Sequence, residues 1–420
     1  MTADPVPSGK LGRAFGLLWA GQTASLLGDQ VTLIALPLIA VAYTAASTFD
    51  VGLLATCLRA PFLLIGLPAG VWVSRLGLRR SMIAADALRL SVIAMLPVAI
   101  WSGVRSVALL LVAALLLGFG TVFFQVAYQS LVPELLPDRR HWHRANTRLS
   151  LSESSSQLVG PAGGGLLVGL LTSPGALVMD AVTYAVSVAT LTATGRGNAG
   201  TVAPSASTKT EVLAGLRYVR STPVLNSIMW TGAAYNLGAA MYESLLVVFA
   251  VRHLGLSPAG LGVALGAGGV GFPIGGALVG RLTRRLGLGQ TLIWAAVPSV
   301  GGMLVSALAT NGQPALWLAA GTLLIGVGQG IFAVNAITIR QLAAEPSMQA
   351  RATSVHRFVS WGALSVGSLL AGLIGRGFGV RPTMLMTGAV SSACFWPLLA
   401  SPLRTIRTAD DIRGDGTSVT

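Results

Sequence analysis

Few side chains in this sequence are equipped for acid–base chemistry, and the most conspicuous of them is a carboxylate in apolar company. Asp29 falls early in SLLGDQVTLIALPLIAVAY, residues 25–43, but about 15 residues into its helix and so near the expected membrane midplane. An ionised acid in lipid-like surroundings costs a few kcal/mol or more, so it calls for a partner or a wet cavity. Arg59, in the next antiparallel run, is the cation expected to reach it, favouring the charged form where desolvation opposes it. A carboxyl balanced between such terms can gain and lose a proton. A static ion pair that fixes helix packing is the plainer alternative. Glu243, beside Tyr242, is a second embedded acid suited to binding a proton or cation. Asp86 and Arg89, three residues apart on one helical face, read as an ion pair at a gate. Glu153 and Asp180 fall near the ends of apolar runs, where water is available. Gln22, Gln125, Tyr235, Asn236 and Gln329 are candidates for the hydrogen-bonding wall of a cavity, with Tyr235 and Asn236 opposite Asp29 by internal repeat.

Other chemistries find little support. The four histidines, His141, His143, His253 and His356, lie in loops or at the ends of apolar runs, and neither H-E-x-x-H nor G-x-S-x-G occurs. There is no G-x-x-x-x-G-K-[ST] loop for a nucleotide. The G-x-G-x-x-G at Gly266–Gly271 sits inside a continuous apolar run rather than between a strand and a helix, so it reads as helix packing. The pairs Gly262/Gly266, Gly271/Gly275 and Gly276/Gly280 point the same way. Cys57 and Cys394 both fall in apolar runs and suggest neither a disulfide framework nor a metal site. No cofactor is expected.

The elements that must position these residues are membrane helices. Of 420 residues, 53% are hydrophobic and only 10% charged, against about 25% charged in soluble domains. Hydropathy places twelve spans at about 14–43, 50–73, 82–102, 107–131, 148–171, 175–194, 224–250, 258–280, 290–309, 315–339, 353–375 and 382–402. Of the 28 Lys and Arg, 22 lie on the side shared by both termini. Arg105, Arg252, Arg376 and Arg381 lie opposite, and Arg59 and Arg89 within spans. That asymmetry predicts cytoplasmic termini and explains the net charge of +14 without nucleic acid. Residues 1–13 are too short and polar for a cleaved leader, so the first span is expected to direct its own insertion. A polar stretch separates the halves: 1–195 is one six-helix bundle, 196–222 a linker, 223–403 a second bundle and 404–420 a tail. Within the linker, Val212, Leu213, Leu216 and Val219 share the apolar face of a short interfacial helix. The halves repeat at an offset of about 206: GVWVSRLGLRR (70–80) echoes GALVGRLTRRLG (276–287), and the segment from Arg144 echoes that from Arg351. Parallel repeats of this kind build carriers that rock about a midplane site.

At these residues the chain resembles the major facilitator superfamily over essentially its whole length. Gly70, Arg75, Gly77, Arg79 and Arg80 match the signature loop after span two, which implies a glycine for close helix approach and arginines at a cytoplasmic gate. Ser74 stands where that signature has an acid. Gly160, Pro161, Gly164 and Gly165 match the span-five motif of the proton-antiporting, exporting branch, with Pro161 expected to kink the helix. WAGQTASLLGDQ (19–30) and AADALR (84–89) are similar to the bacterial macrolide-efflux and enterobactin-exporter group. The resemblance implies an all-α membrane protein of two pseudo-symmetric six-helix bundles in the bacterial inner membrane, not an enzyme. It further implies a monomer surrounded by lipid that exports a small amphipathic molecule by proton antiport. Import by proton symport is the alternative, with a sensor or intramembrane enzyme less favoured.

Overall fold

The computed structural model describes residues 12–136, 141–194, 208–345, 348–408 and 410–413. The amino-terminal half contains α1 (Arg13–Tyr43), α2 (Thr48–Leu76), α3 (Leu78–Trp101), α4 (Val107–Leu135) and α5 (Trp142–Ala193). A short helix, α6 (Thr208–Ser221), leads to α7 (Pro223–Val248), α8 (Pro258–Leu286), α9 (Leu288–Ala307), α10 (Pro314–Ala343), α11 (Gln349–Phe378) and α12 (Val380–Ser392), then the small α13 (Phe395–Leu399) and α14 (Asp410–Arg413). Among the described residues, ten helical stretches are long and apolar enough to cross a membrane. The long α5 supplies two passes, because Thr172, at φ 67°, breaks it into two legs. The helix continues through Pro161, so the break falls eleven residues beyond the proline singled out by sequence. The last pass is α12 continued by α13, which brings the passes to twelve.

Local chemistry sets the turns in a repeated pattern. One glycine, Gly77 at φ 87°, separates α2 from α3, and Gly287 at φ 86° separates α8 from α9. That backbone region disfavours any residue with a Cβ. Ser47 and Asp50 form a reciprocal capping box at the start of α2, and Ser257 accepts from the Gly260 N–H at the start of α8.

Within the amino-terminal half α1 packs on α5, α2 on α4, and α3 on both α4 and α5; within the other half α8 and α9 pack on α10, and α7 on α11 and α12. Lipid offers no hydrophobic drive between helices, so close backbone approach carries much of the association. The α8–α10 seam shows it: a Cβ at Gly271 or Gly275 would overlap the carbonyls of Leu323 or Val327, and one at Gly326 or Gly330 those of Gly268 or Phe272. Gly262 and Gly266 instead face α5, whereas a Cβ at Gly276 meets nothing within 4 Å.

Two glycine pairs join the halves, Gly52 with Gly372 where α2 meets α11, and Gly165 with Gly262 where α5 meets α8. Arg252 donates across the same boundary to the carbonyls of Ala46 (2.8 Å) and Val41 (3.0 Å). These contacts lie toward the end of the molecule that is poor in arginine. Deeper along α2, Phe62 meets Trp361 of α11 with ring centroids 3.7 Å apart.

At the arginine-rich end, α6 lies on α11 through Gly215, beside Val355 and Arg351, with Val219 buried. Leu213, on the apolar face expected at the membrane interface, is 63% exposed from the protein, and the side chain of Val212 lies outside the described residues. Beyond α13 the chain straps onto the start of α9: Leu288 and Gly289 donate to the carbonyls of Arg407 (3.1 Å) and Ile406 (2.9 Å).

Candidate functional site

Near the middle of the amino-terminal half, α1, α3, α4 and the second leg of α5 enclose one guanidinium and three carboxyl groups. Arg89, on α3, is 2% exposed, and Gly120 of α4 makes room for its stem. Its guanidinium lies between the rings of Phe124 (4.6 Å) and Tyr184 (4.7 Å), a cation flanked by two aromatic faces. It bonds Asp86 one helical turn earlier and stands 3.9 Å from Asp29. Asp86, fully buried, also accepts from the Ser187 hydroxyl at 2.5 Å. Asp29 accepts from the Tyr184 phenol at 2.5 Å and keeps 33% of its side chain exposed, the open edge of an otherwise closed group. Asp180, fully buried, accepts from Thr32 and lies 2.9 Å from the Thr183 hydroxyl, with no cation among its described partners. The Arg89 Nε is buried and unpaired, so the guanidinium holds a hydrogen-bonding group in reserve.

Several sequence expectations change here. Arg59 does not meet Asp29; it donates to Glu243 at 2.7 Å and to Ser368 of α11 at 2.7 Å, joining α2 to α7 and α11 across the two halves. Hydropathy gives depth within each half but not which helices of the other half stand opposite. Asp86 and Arg89 do pair, but inside one half and beside Asp29, so the pair is not at a boundary between halves where a gate would close. Asp180 is not near water. It is an integral part of the cluster, and it was missed together with Tyr184. Asp180, Thr183, Tyr184 and Ser187 fall at steps of three and four, one polar stripe along the second leg of α5, and that spacing was the available signal.

The remaining candidates divide. Gln329 donates to the Tyr235 hydroxyl at 3.1 Å, so two expected wall residues meet in the carboxy-terminal half. Gln22 and Gln125 are half-buried on α1 and α4, with the Gln22 Oε1 buried and unpartnered, and Asn236 is half-buried on α7. The span-five glycines serve two contacts: Gly160 and Gly164 admit Gln30 and Val31 of α1, while Gly165 meets α8. Pro161 lies between them. In the signature loop a Cβ at Gly70 would meet nothing within 4 Å, so the expected close approach is absent at that glycine. Arg79 turns inward, donating to the carbonyls of Leu191 (2.7 Å) and Thr192 (2.5 Å) at the end of α5. A cation there suits the negative end of the helix. Arg75 and Arg80 are exposed.

The chain matches the transmembrane secretion effector family (MFS_3) over residues 11–415. It is 26% identical over 388 residues to the multidrug efflux pump Tap of Mycobacterium tuberculosis, covering 89% of this chain and 90% of that one. It is 25% identical over 305 residues to the uncharacterized MFS-type transporter YfiS of Bacillus subtilis, 71% and 69% of the two chains. Among solved structures it superposes on a bacterial homolog of the human lysosomal transporter Spinster, inward-facing and unoccupied, with TM-score 0.72, 15% identity and full coverage of both. The nucleoside transporter NupG superposes with TM-score 0.72 and 11% identity over 92% and 98% of the two chains. Twelve helical passes, two repeated halves and this family match lead to one statement: the chain belongs to the transmembrane secretion effector family of the major facilitator superfamily, and its fold is that of a multi-pass membrane transporter.

Proposed function

We propose that this protein is a proton antiporter of the bacterial inner membrane that exports a small amphipathic organic molecule, acting as a monomer with both termini in the cytoplasm. The observation that carries the reading is the imbalance of the buried cluster. Three carboxyl groups and one guanidinium are gathered at membrane depth, and full ionisation would leave two uncompensated negative charges where each is costly. Retained protons resolve the imbalance. Asp180, in contact with hydroxyls rather than a cation, is most cheaply held as the neutral acid. The Thr183 hydroxyl already has the Asp180 carbonyl as an acceptor at 2.8 Å, so its oxygen is free to accept a carboxyl proton. Asp29, at the open edge, is the group placed to exchange protons with water, and Arg89 stands between it and Asp86. In the conformation described, contacts gather at the arginine-poor end, as in a carrier closed to the outside. Protonation of Asp29 from outside would release its hold on Arg89 and favour return of the empty carrier. Loss of that proton inside would permit loading. Efflux as the direction draws on the family description and on the Tap relative.

The test is transport in proteoliposomes carrying an imposed pH gradient, read with a fluorescent amphipathic cation. Movement should follow exchange for protons, cease when a protonophore collapses the gradient, and fall at least about tenfold in Asp29→Asn while the variant still elutes as a folded monomer. Full coupling in Asp29→Asn, or equal movement with and without protein, would overturn the reading. Proton-driven import predicts the opposite response to the sign of the gradient, and a sensor or enzyme predicts neither gradient dependence nor counterflow.

A further inference from the structure

The arginine-rich end of the carboxy-terminal half contains a cavity of about 550 Å³ bounded by α6, α7, α10 and α11, which shares no residue with the carboxylate cluster. Arg340 of α10 and Arg357 and His356 of α11 line it together with the apolar Val219, Leu225 and Met229 of α6 and α7. No Asp or Glu lines it among the described residues. Two guanidiniums turned on one space without a carboxylate leave positive charge unsatisfied, and guanidinium geometry suits oxyanions. The cavity also borders unpaired buried groups. The His356 Nδ1 is buried without a partner, and so is the Ser360 hydroxyl one turn further along α11, in a residue only 7% exposed. Both abut Gly232 of α7, where a side chain would crowd them. Buried polar atoms of this kind normally have a partner, protein or otherwise.

We propose that this cavity binds an amphipathic phosphate: the phosphate group between Arg340 and Arg357, with His356 completing its donors, and the apolar remainder against Val219, Leu225 and Met229. The volume falls in the range that encloses small organic ligands and is too large for a bare oxyanion alone. The donors come from two helices and so surround a tetrahedral group better than a flat one. An anionic phospholipid and a water-soluble organic phosphate share this chemistry. Because α6 supplies part of the apolar wall, occupancy would also tie the linker to α7, α10 and α11. The site is independent of the direction of transport and of Asp29.

The test uses the full chain in detergent, with dioleoyl phosphatidylglycerol and dioleoyl phosphatidylcholine as probes and native mass spectrometry as the readout. The wild type should retain phosphatidylglycerol about tenfold more tightly than Arg340→Gln/Arg357→Gln, a difference of about 1.4 kcal/mol. Arg284→Gln/Arg285→Gln, which removes equal charge from the exposed end of α8, should bind as the wild type does. Displacement by millimolar glycerol 3-phosphate would assign the site to soluble organic phosphates, and resistance to it would assign the site to lipid; either result supports the proposal. Equal retention by the wild type and the double variant, or equal retention of the zwitterionic lipid, would overturn it. Should the double variant fail to accumulate, Arg357→Gln alone, at an exposed side chain, is expected to lose about threefold, and no loss would overturn the proposal.

Discussion

Where α1 carries Asp29, the repeat places Tyr235 on α7, and the surroundings of the two residues differ in kind. Asp29 belongs to a group of three carboxyls and one guanidinium that joins α1, α3 and α5. Tyr235 meets Gln329, and further along α7 Tyr242 donates to Ser306 at 2.9 Å, both neutral bonds to neighbouring helices. Glu243 does not alter the contrast, because it is half exposed and its partner Arg59 comes from the other half. A fold with repeated halves thus gathers its buried carboxyl groups around Asp29 in one half, while at the corresponding residues of the other the helices are joined by neutral bonds and interlocked glycines. In the proposed antiport, only the half that holds the carboxyl groups would have to exchange a proton.

The sharpest way to break this comparison is to remove the cation. Arg89→Leu leaves Asp86 buried without its partner, and the expected loss is about 3–5 kcal/mol. Thermal unfolding in detergent would measure it, and Asp86→Leu in the same chain should restore much of the loss. The matching change in the other half, Tyr235→Phe, removes one neutral bond and should cost about 1 kcal/mol. Similar losses in the two halves would remove the distinction.

Next in size is the glycine seam. Gly275→Leu forces α8 from the Val327 carbonyl of α10 and should cost about 1–3 kcal/mol, whereas Gly276→Leu, facing open space, should stay within about 0.5 kcal/mol. Comparing the two unfolding midpoints tests whether close approach, rather than glycine content, holds this half together.

A smaller effect is expected at the pair between halves. Glu243→Gln weakens a partly exposed ion pair worth about 0.2–1 kcal/mol. Distances between spin labels at the arginine-poor ends of α2 and α7 should then show a larger open fraction. An unchanged distribution would mean that the glycine contacts and Arg252 hold this end without help.

The smallest difference lies at the arginine-rich ends. Arg79 closes α5 in one half through the carbonyls of Leu191 and Thr192. In the other half Asp411 receives the Arg407 and Thr408 N–H groups at 2.8 and 2.9 Å, and these bonds hold its carboxyl below the usual range. With the folded value depressed, the contribution of these two bonds is fully present above the unfolded value of about 3.9 and is lost as pH falls through the lower folded value. Amide exchange at Arg407 and Thr408 should quicken in that window while Leu191 and Thr192 remain unchanged.

Much of this was legible in sequence, for reasons that differ from residue to residue. Span number follows from the length of apolar runs, and the repeat from the echo of Gly70–Arg80 in Gly276–Gly287. Asp29 stood out because a charge in hydrocarbon needs a cause. Its partners did not, because Tyr184 lies 155 residues away and only packing brings α5 beside α1. Arg59 was assigned to the wrong acid since its true partner belongs to the other repeat. Span twelve, read as one run from 382 to 402, is divided between α12 and α13.

The paired contacts of Gly52 with Gly372 and Gly165 with Gly262 are themselves related by the repeat, since residues 52 and 262, and likewise 165 and 372, are corresponding positions. Main chain lies there directly against main chain at two points related by the repeat. With no side chain at any of the four positions, a methyl added to one of them would act as a wedge between the two bodies.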